Sequence, residues 1–373
     1  RLRESCMNMT KKGIMICGHG SRSRAAEAEF SLLAQGLKKS FPNVPVRHGF
    51  LEYSAPNIHM GLDELKSLGV NEIIAVPGML FAATHAKNDI PSVLVSYQEK
   101  NPGVVIKYGR ELGLHPEMIN AFQERILECF KPAKMGQDHF YDSMLVVVGR
   151  GTSDVLANAE AAKLTRIVAE NMGFGWCETF YSGVTFPSVG HGLEIITKLG
   201  YKKIVVAPYF LFTGRLIDRI YKYVDIVADK HPKICFYKAK YLADQTHVIS
   251  TFEDRIREAE AGILNEQQDL MLSFKERVRH GEAIIHHHHA EFRPITDPED
   301  DDVGGASHDH EHSHDTNHHH DDGHSHNHSH HGFYKHIAHP NGPRTMIDEG
   351  VCCCFMSQFP QEVIDAERKK RNS

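Results

Sequence analysis

The segment MICGHGS at residues 15–21 recurs as VVVGRGT at residues 146–152, which is 131 positions further along the chain. The same offset aligns two more pairs of segments, Ala55-Pro56 with Phe186-Pro187 and Val76-Pro77 with Ala207-Pro208. Two unrelated α/β domains can share a rhythm of strands and helices, but a constant offset favours an internal duplication. We therefore expect two similar lobes that face one another.

Apolar runs of strand length alternate with amphipathic stretches of helical period in both halves. The strand-like runs are Gly13–Cys17, Pro45–Leu51, Glu72–Pro77, Val104–Tyr108, Ser143–Val148, Cys177–Tyr181, Lys203–Pro208 and Lys233–Tyr237. The helix-like stretches are Ala25–Leu37, Asn57–Leu68, Pro116–Cys129, Asp154–Met172, Ser188–Leu199 and Arg215–Lys230. This alternation is typical of parallel sheets that are covered by helices on both faces. The predicted fold class is α/β, with two doubly wound parallel-sheet lobes and a low-complexity His-rich tail.

These patterns divide the 373 residues into five parts. We expect an N-terminal lobe with the active site at residues 10–135, a C-terminal lobe at 136–262, a linker at 263–303, a disordered His-rich segment at 304–332 and a tail with a Cys triplet at 333–373. Within the predicted linker, Leu264–His280 is either one more helix or a helical linker. The His-rich segment is predicted to be disordered because it has too little apolar surface to bury.

Charge is unevenly spread along the chain. From Glu282 onward, 7 Lys and Arg stand against 17 Asp and Glu, a balance of −10, whereas the 35 basic and 31 acidic residues before it give +4. A mildly basic body suits an acidic small molecule and is too weakly charged to indicate nucleic acid.

The sequence also predicts the compartment. No apolar run reaches the roughly 18 residues of a membrane helix, and residues 1–10 lack the apolar core of a signal peptide. The 8 Cys are not spaced like a disulfide framework. We therefore expect a cytoplasmic protein with no membrane partner.

Two histidines follow strands that should be neighbours in the first sheet. His19 comes directly after the first strand-like run, and His85 lies in the segment THAKNDIP (84–91) after the third. Ligands of open α/β sheets bind beyond the carboxyl ends of the strands, and strands one and three are adjacent in a sheet of order 2-1-3. Two imidazoles in one cleft suit a divalent metal such as Co²⁺, Ni²⁺ or Fe²⁺ and can also accept protons. The alternatives are an incidental His19 in a tight turn and a His85 that caps a helix.

The second lobe has lost both imidazoles together. Arg150 stands at the position of His19, and Gly214 at that of His85. This loss is expected if the two histidines act as one unit and one lobe kept the activity. The second lobe would then be a wall or lid, with Arg150 and Arg215 available to bind carboxylates.

Further residues near the histidines are candidates for metal and substrate binding. Glu52 follows the second strand-like run and is either a third metal ligand or an ordinary exposed glutamate. A helix N-terminus after His19 and nearby cationic side chains favour a substrate with carboxylates. The predicted substrate-binding residues are Gly20, Ser21, Arg22, Lys87 and Arg150, with Arg24 at the rim.

The segments GHGSR (18–22), FLE (50–52) and THAKNDIP (84–91) together resemble the sirohydrochlorin cobaltochelatases of cobalamin biosynthesis. That family is related to the sirohydrochlorin ferrochelatases within the class II chelatase superfamily. The resemblance covers about residues 13–260, as in the long, two-lobed form of the family. It implies a lyase that inserts Co²⁺, as substrate metal, into sirohydrochlorin. It also implies that His19 and His85 are catalytic and that both bind the metal together with Glu52.

The His-rich tract is a separate signal. Between His308 and His331, 12 of 24 residues are His, and His-x-His repeats place many imidazoles within reach of one ion. We interpret the tract as a metal store or a means of metal delivery, and a solvated tail with adventitious affinity is the alternative. The residues of this prediction are His308, His310, His312, His314, His324, His326, His328 and His330.

Cys352, Cys353 and Cys354 are consecutive. Some long-form chelatases carry a C-terminal iron–sulfur motif, so an iron–sulfur cluster is one interpretation; thiols for metal trafficking and no function are the others. Consecutive cysteines do not easily reach one cluster in relaxed geometry, and the chain has no Cys-x-x-Cys.

Two other functions stay open. Iron insertion to make sirohaem would use the same residues, and a non-enzymatic metal-binding or metallochaperone protein would account for the His-rich tract. The paired histidines favour an enzyme whose partners are sirohydrochlorin and a divalent metal ion, with a homo-oligomer left open.

Overall fold

Two parallel sheets form the centre of the molecule. The structure is a computed structural model, and it describes residues 10–21, 23–51, 54–130, 140–283 and 285. The first sheet has the order β2-β1-β3-β4, from β1 (Lys12–Gly18), β2 (Val46–Phe50), β3 (Glu72–Pro77) and β4 (Val105–Tyr108). The second has the order β6-β5-β7-β8, from β5 (Ser143–Gly149), β6 (Trp176–Tyr181), β7 (Lys203–Pro208) and β8 (Cys235–Lys238).

The two sheets repeat the same register. Cys17 on β1 pairs with Pro77 on β3, and Val148 on β5 pairs with Pro208 on β7. Isolated bridges repeat as well, Phe50 with Asn57 and Tyr181 with Ser188. Each residue of the second set lies 131 positions after its counterpart in the first. The predicted fold class, with two similar doubly wound lobes, is therefore confirmed.

Helices cover the sheets and begin at polar caps. They are α1 (Arg24–Ser40), α2 (Ile58–Ser67), α3 (Ile90–Lys100), α4 (Pro116–Glu128), α5 (Val155–Met172), α6 (Val189–Ile196), α7 (Arg215–Lys230), α8 (Thr246–Ala261) and α9 (Leu270–Arg279). Ser23, Asn57 and Asp154 each accept a hydrogen bond from a backbone N–H of the helix that follows. Such caps satisfy amide groups that have no partner within the helix. A π-helical turn, His85–Asp89, precedes α3, and 3₁₀ turns lie at Phe140–Asp142 and Thr197–Leu199.

The two lobes exchange their last helices. Helix α8 follows the second sheet in sequence, but it packs on β3 and β4 of the first sheet and on α1. Helix α4 follows the first sheet and packs on α5 and on β7 of the second. Phe122 of α4 and Phe252 of α8 are fully buried in one core cluster, which also contains Ile14 and Val147. The lobes predicted at residues 10–135 and 136–262 therefore share a hydrophobic core.

A helix lies within the segment that the sequence predicted as a linker, residues 263–303. Helix α9 contacts the π-helical turn and α3 of the first lobe. Its Phe274 is fully buried, and its Leu270 joins a core cluster that contains Ile90 and Leu94. This part of the chain is therefore packed onto the first lobe.

Several predictions from the sequence lie outside the described residues. Among them are Arg22, Glu52, the His-rich segment and the three consecutive cysteines. Within the described ranges, Cys17, Cys129, Cys177 and Cys235 are free thiols. Over the same ranges, no helix has both the length and the apolar character that crossing a membrane would require.

His247 joins the two exchanged helices and generates a testable prediction. Its Nδ1 contacts Glu117 and its Nε2 lies 3.1 Å from Glu124 Oε1, so α8 is bonded twice to α4. The hydrogen bond with Glu117, supported by Glu124, raises the pKa of His247 above its usual 6.5. A raised pKa means that the pairing stabilises the fold fully below pH 6.5, and that this stabilisation is lost as pH rises through the folded-state pKa.

We therefore expect His247→Gln to lower the free energy of unfolding by about 0.5 kcal/mol at pH 6, because a partly exposed ion pair contributes on this order. The difference from wild type should shrink at higher pH. Urea unfolding at pH 6 and pH 9 measures it. The control is His231→Gln, since His231 Nε2 lies 3.9 Å from Glu194 and is too distant for a hydrogen bond. An equal loss at both pH values would contradict the prediction.

Candidate metal and substrate site

His19 and His85 meet at one edge of the first sheet. Parallel pairing of β1 with β3 places the ends of both strands side by side, and Gly78 N donates to Cys17 O at 2.7 Å just beyond the last pair. The imidazole ring centroids are 4.3 Å apart, and the planes cross at 89°. The predicted juxtaposition of the two histidines is therefore present in the structure.

The loop that carries His19 is fixed by short hydrogen bonds. Ser54, which is 2% exposed, accepts from Ser21 N at 2.9 Å and donates its hydroxyl to Ser21 O at 2.8 Å. Gly20 has φ of +99°, a conformation that side chains disfavour, and its carbonyl lies 3.1 Å from His19 Nδ1. With a proton on Nδ1 for this contact, the lone pair of His19 is on Nε2.

His85 opens the π-helical turn at residues 85–89, in which Ile90 N bonds to His85 O, five residues back. The turn brings His85 Nδ1 to 2.6 Å from Asp89 Oδ2, and the two side chains are 24% and 14% exposed. A carboxylate that accepts Nδ1–H fixes the tautomer of a histidine and makes Nε2 a better ligand. Asp89 is part of the segment THAKNDIP, but the sequence alone did not indicate this role.

The environment keeps His19 neutral. Burial is the largest cause that lowers its pKa well below 6.5, followed by the nearby His85 and the positive charge of Arg150. A neutral imidazole is the form that binds a metal ion or accepts a proton. Because two imidazolium ions in ring contact would repel each other, a single shared cation suits this pair better than two protons.

The second lobe faces the same edge. Arg150 is exposed and is close enough to lower the pKa of His19. Lys87, predicted to bind substrate, forms an ion pair with Asp154, the residue that caps α5 of the second lobe. A second contact between the lobes is made by Glu29 of α1, which accepts from Thr213 N at 2.7 Å. Thr213 lies in the second-lobe loop that corresponds to residues 84–85.

Among the described residues, two imidazoles lie at this edge, but they do not form a complete metal-binding site. No group of three His, Cys, Asp or Glu side chains within those residues is arranged to hold a metal ion. Cys17 lies nearby, but it is buried in β1 and burial raises the pKa of its thiol, which disfavours a thiolate ligand. Glu52, the predicted third ligand, lies outside the described residues. Ser21 uses its hydroxyl to accept from Ser23 N at 3.0 Å.

The comparisons with known proteins agree with this geometry. The family model CbiX matches residues 13–129 and 144–259, one segment in each lobe. The chain is similar to a sirohydrochlorin cobaltochelatase of Priestia megaterium, with 33% identity over 253 residues, which cover 67% of this chain and 81% of the relative.

A sequence relative and a solved structure from Bacillus subtilis are similar as well. A sirohydrochlorin ferrochelatase of strain 168 is 28% identical over 252 residues, covering 67% of this chain and 93% of the relative. Among solved structures, SirB from Bacillus subtilis with Fe³⁺ superposes with a TM-score of 0.60 and 28% identity, over 70% of this chain and all of that one. The relatives thus include proteins named for cobalt and for iron.

The contact between Asp89 and His85 predicts an effect on metal affinity. We expect Asp89→Asn to weaken the binding of Co²⁺ by the protein about 10-fold or more, because loss of a carboxylate behind a metal-binding histidine typically costs 10–100-fold. Titration of the protein with Co²⁺, followed by visible absorption, measures the affinity. The matched control is Asp218→Asn, at the corresponding position of the second lobe, where Gly214 replaces the histidine. Equal affinity of the Asp89→Asn and Asp218→Asn proteins would contradict the role of Asp89.

Proposed function

The chain belongs to the CbiX family, and from this premise we propose that it is a metal chelatase that inserts Co²⁺ into sirohydrochlorin. The main support for this proposal is the position of His19 and His85 at the carboxyl edge of the first sheet, where their ring centroids are 4.3 Å apart. Both rings direct Nδ1 to a fixed oxygen, the Gly20 carbonyl and the Asp89 carboxylate. With Nδ1 as the donor in these two contacts, the lone pair of each imidazole is on Nε2.

Insertion exchanges one divalent ion for two pyrrole protons, so the site must deliver a cation and remove protons. The two imidazoles can present a partly hydrated Co²⁺ to the macrocycle nitrogens. Once the ion has moved to the macrocycle, the same Nε2 atoms become free to accept protons. The low pKa of His19 favours release of such a proton to water and return to the neutral form. The metal ion is a substrate in this scheme.

The macrocycle carries many carboxylates, and the cleft offers cations to meet them. Arg150 is exposed on the second-lobe side and Arg24 on the first-lobe side, at the start of α1. Backbone N–H groups at a helix N-terminus also favour negative charge. We therefore propose that the macrocycle lies between the lobes, with Arg150 opposite the histidine pair. Lys87 is held by Asp154 and would contribute to the substrate contact less directly.

The choice of cobalt rests on ligand chemistry. Nitrogen ligands bind Co²⁺ more tightly than Fe²⁺ in the usual order of divalent metals. The alternative is that the physiological metal is Fe²⁺, which the same two imidazoles would also bind. Availability of each ion then decides between a cobaltochelatase and a ferrochelatase.

The direct test is an absorption assay of sirohydrochlorin with Co²⁺, Fe²⁺ or Ni²⁺ under anaerobic conditions. We expect kcat/KM to be higher with Co²⁺ than with Fe²⁺. His85→Ala and His19→Ala should each reduce insertion by on the order of 100-fold or more, and the double variant should be little worse because the pair acts as a unit. His191→Ala, an exposed histidine of the second lobe, is the control. Wild-type rates in a folded His85→Ala protein would refute the assignment, and a higher kcat/KM with Fe²⁺ would refute the choice of metal.

Arg150 should affect substrate binding more than turnover. We expect Arg150→Ala to raise KM for sirohydrochlorin about 10-fold, because a charged hydrogen bond contributes on the order of 1.5–3 kcal/mol. The value of kcat should change little, since Arg150 replaces the histidine in this lobe. Steady-state kinetics separates the two constants, with Arg166→Ala on the exposed face of α5 as the control. A large fall in kcat at unchanged KM would show that Arg150 takes part in the chemistry.

A further inference from the structure

Helix α9 contacts the part of the chain that presents His85. It lies beyond residue 259, where the second match to the family model ends, and it is not part of either duplicated lobe. The helix is nevertheless firmly packed, because Phe274 is fully buried and Leu270 is 7% exposed. Its contacts are to the π-helical turn at residues 85–89 and to α3. This placement raises the question of what α9 does for the site.

Arg277 of α9 makes two hydrogen bonds to the turn. Its Nη2 donates to Lys87 O at 2.8 Å, and its Nη1 donates to Asn88 Oδ1. Both acceptors lie within the π-helical turn, between His85 and Asp89. A guanidinium is planar and rigid, so two such bonds fix the position of the turn as well as its distance from α9.

Pro91 limits the backbone hydrogen bonds that the turn can form. In an α-helix, the carbonyl of Lys87 would accept from the N–H of residue 91, but residue 91 is Pro91 and has no N–H. Arg277 supplies a donor to the Lys87 carbonyl from outside the turn, in a part-buried contact. Lys87 is also tied on its other side, through its ammonium group, to Asp154 of the second lobe. The turn is thus bound by α9 and by the second lobe at the same residue.

We propose that Arg277 is a positioning residue of the site, which holds the π-helical turn so that Asp89 meets His85 Nδ1. The inference rests on the proposed function for its significance, but the contact that it concerns can be tested by metal binding alone. Arg277 acts through the turn and does not touch the metal or the macrocycle. Without these two bonds the turn can adopt other backbone hydrogen bonds. The distance between His85 Nδ1 and Asp89 Oδ2, which is 2.6 Å, then increases.

The test is the affinity of the whole protein for Co²⁺ in the absence of tetrapyrrole. Arg277→Ala should weaken Co²⁺ binding about 10-fold, as expected when the support of a ligand is lost. Arg277→Lys keeps the charge but lacks the planar guanidinium group, so its affinity for Co²⁺ should lie between those of the alanine variant and wild type. The matched control is Arg279→Ala, which removes an exposed arginine from the same helix and should leave the affinity unchanged.

A double-mutant cycle separates positioning from general destabilisation. If Arg277 acts through the pair of Asp89 and His85, then Arg277→Ala should cost little further affinity in an Asp89→Asn background. Asn88→Ala removes one acceptor of Arg277 without changing α9, and it should cause a smaller loss in the same direction, so the test stands if Arg277→Ala does not fold. Additive effects in the cycle, or wild-type Co²⁺ affinity in Arg277→Ala, would overturn the proposal. Failure of the insertion assay alone would overturn the proposed function and leave this result standing.

Discussion

The parallel pairing of β1 with β3 is the constraint on which the site depends. Parallel strands that are neighbours in a sheet end at the same edge, whatever their separation in sequence. Here the pairing of Cys17 with Pro77 brings the loop after residue 18 beside the loop after residue 77. A shift of the register by two residues would move one histidine by roughly 6–7 Å along the strand direction, and the imidazoles would no longer touch. The apolar strands, buried on both faces, hold that register.

The duplication produced two such sheet edges. Their functional side chains differ, whereas strand order and register are the same in both lobes. In the second lobe Arg150 and Gly214 occupy the positions of the two histidines. That lobe contributes contacts, among them the ion pair of Asp154 with Lys87. Exchange of α4 and α8 joins the lobes through a common core, so buried apolar surface holds the two sheet edges at a fixed separation.

The π-helical turn shows how an irregular element is retained at a site. Such turns are often found where a side chain must be placed at an angle that an α-helix does not provide. Pro91 disfavours regular α-helical bonding at Lys87, and the turn brings His85 and Asp89 into contact. Further contacts come from outside the turn, from Arg277 of α9 and from Asp154, which caps α5. These tertiary contacts add to the bond of Ile90 N to His85 O within the turn.

The sequence by itself determined the α/β class, the duplication with its offset of 131, and the two histidines, because strand and helix periodicity and strand-end positions are local properties. It did not reveal the exchange of α4 and α8, since apolar helices of similar pattern can cover either sheet. It gave no role to Asp89, whose carboxylate becomes a partner of His85 through the π-helical geometry. Nor did it assign a place to α9, although Leu264–His280 was predicted as one more helix or a helical linker. Contacts such as that of Arg277 with Lys87 join residues 190 positions apart, and no local pattern specifies them. Tertiary packing alone decided which distant side chains support the histidine pair.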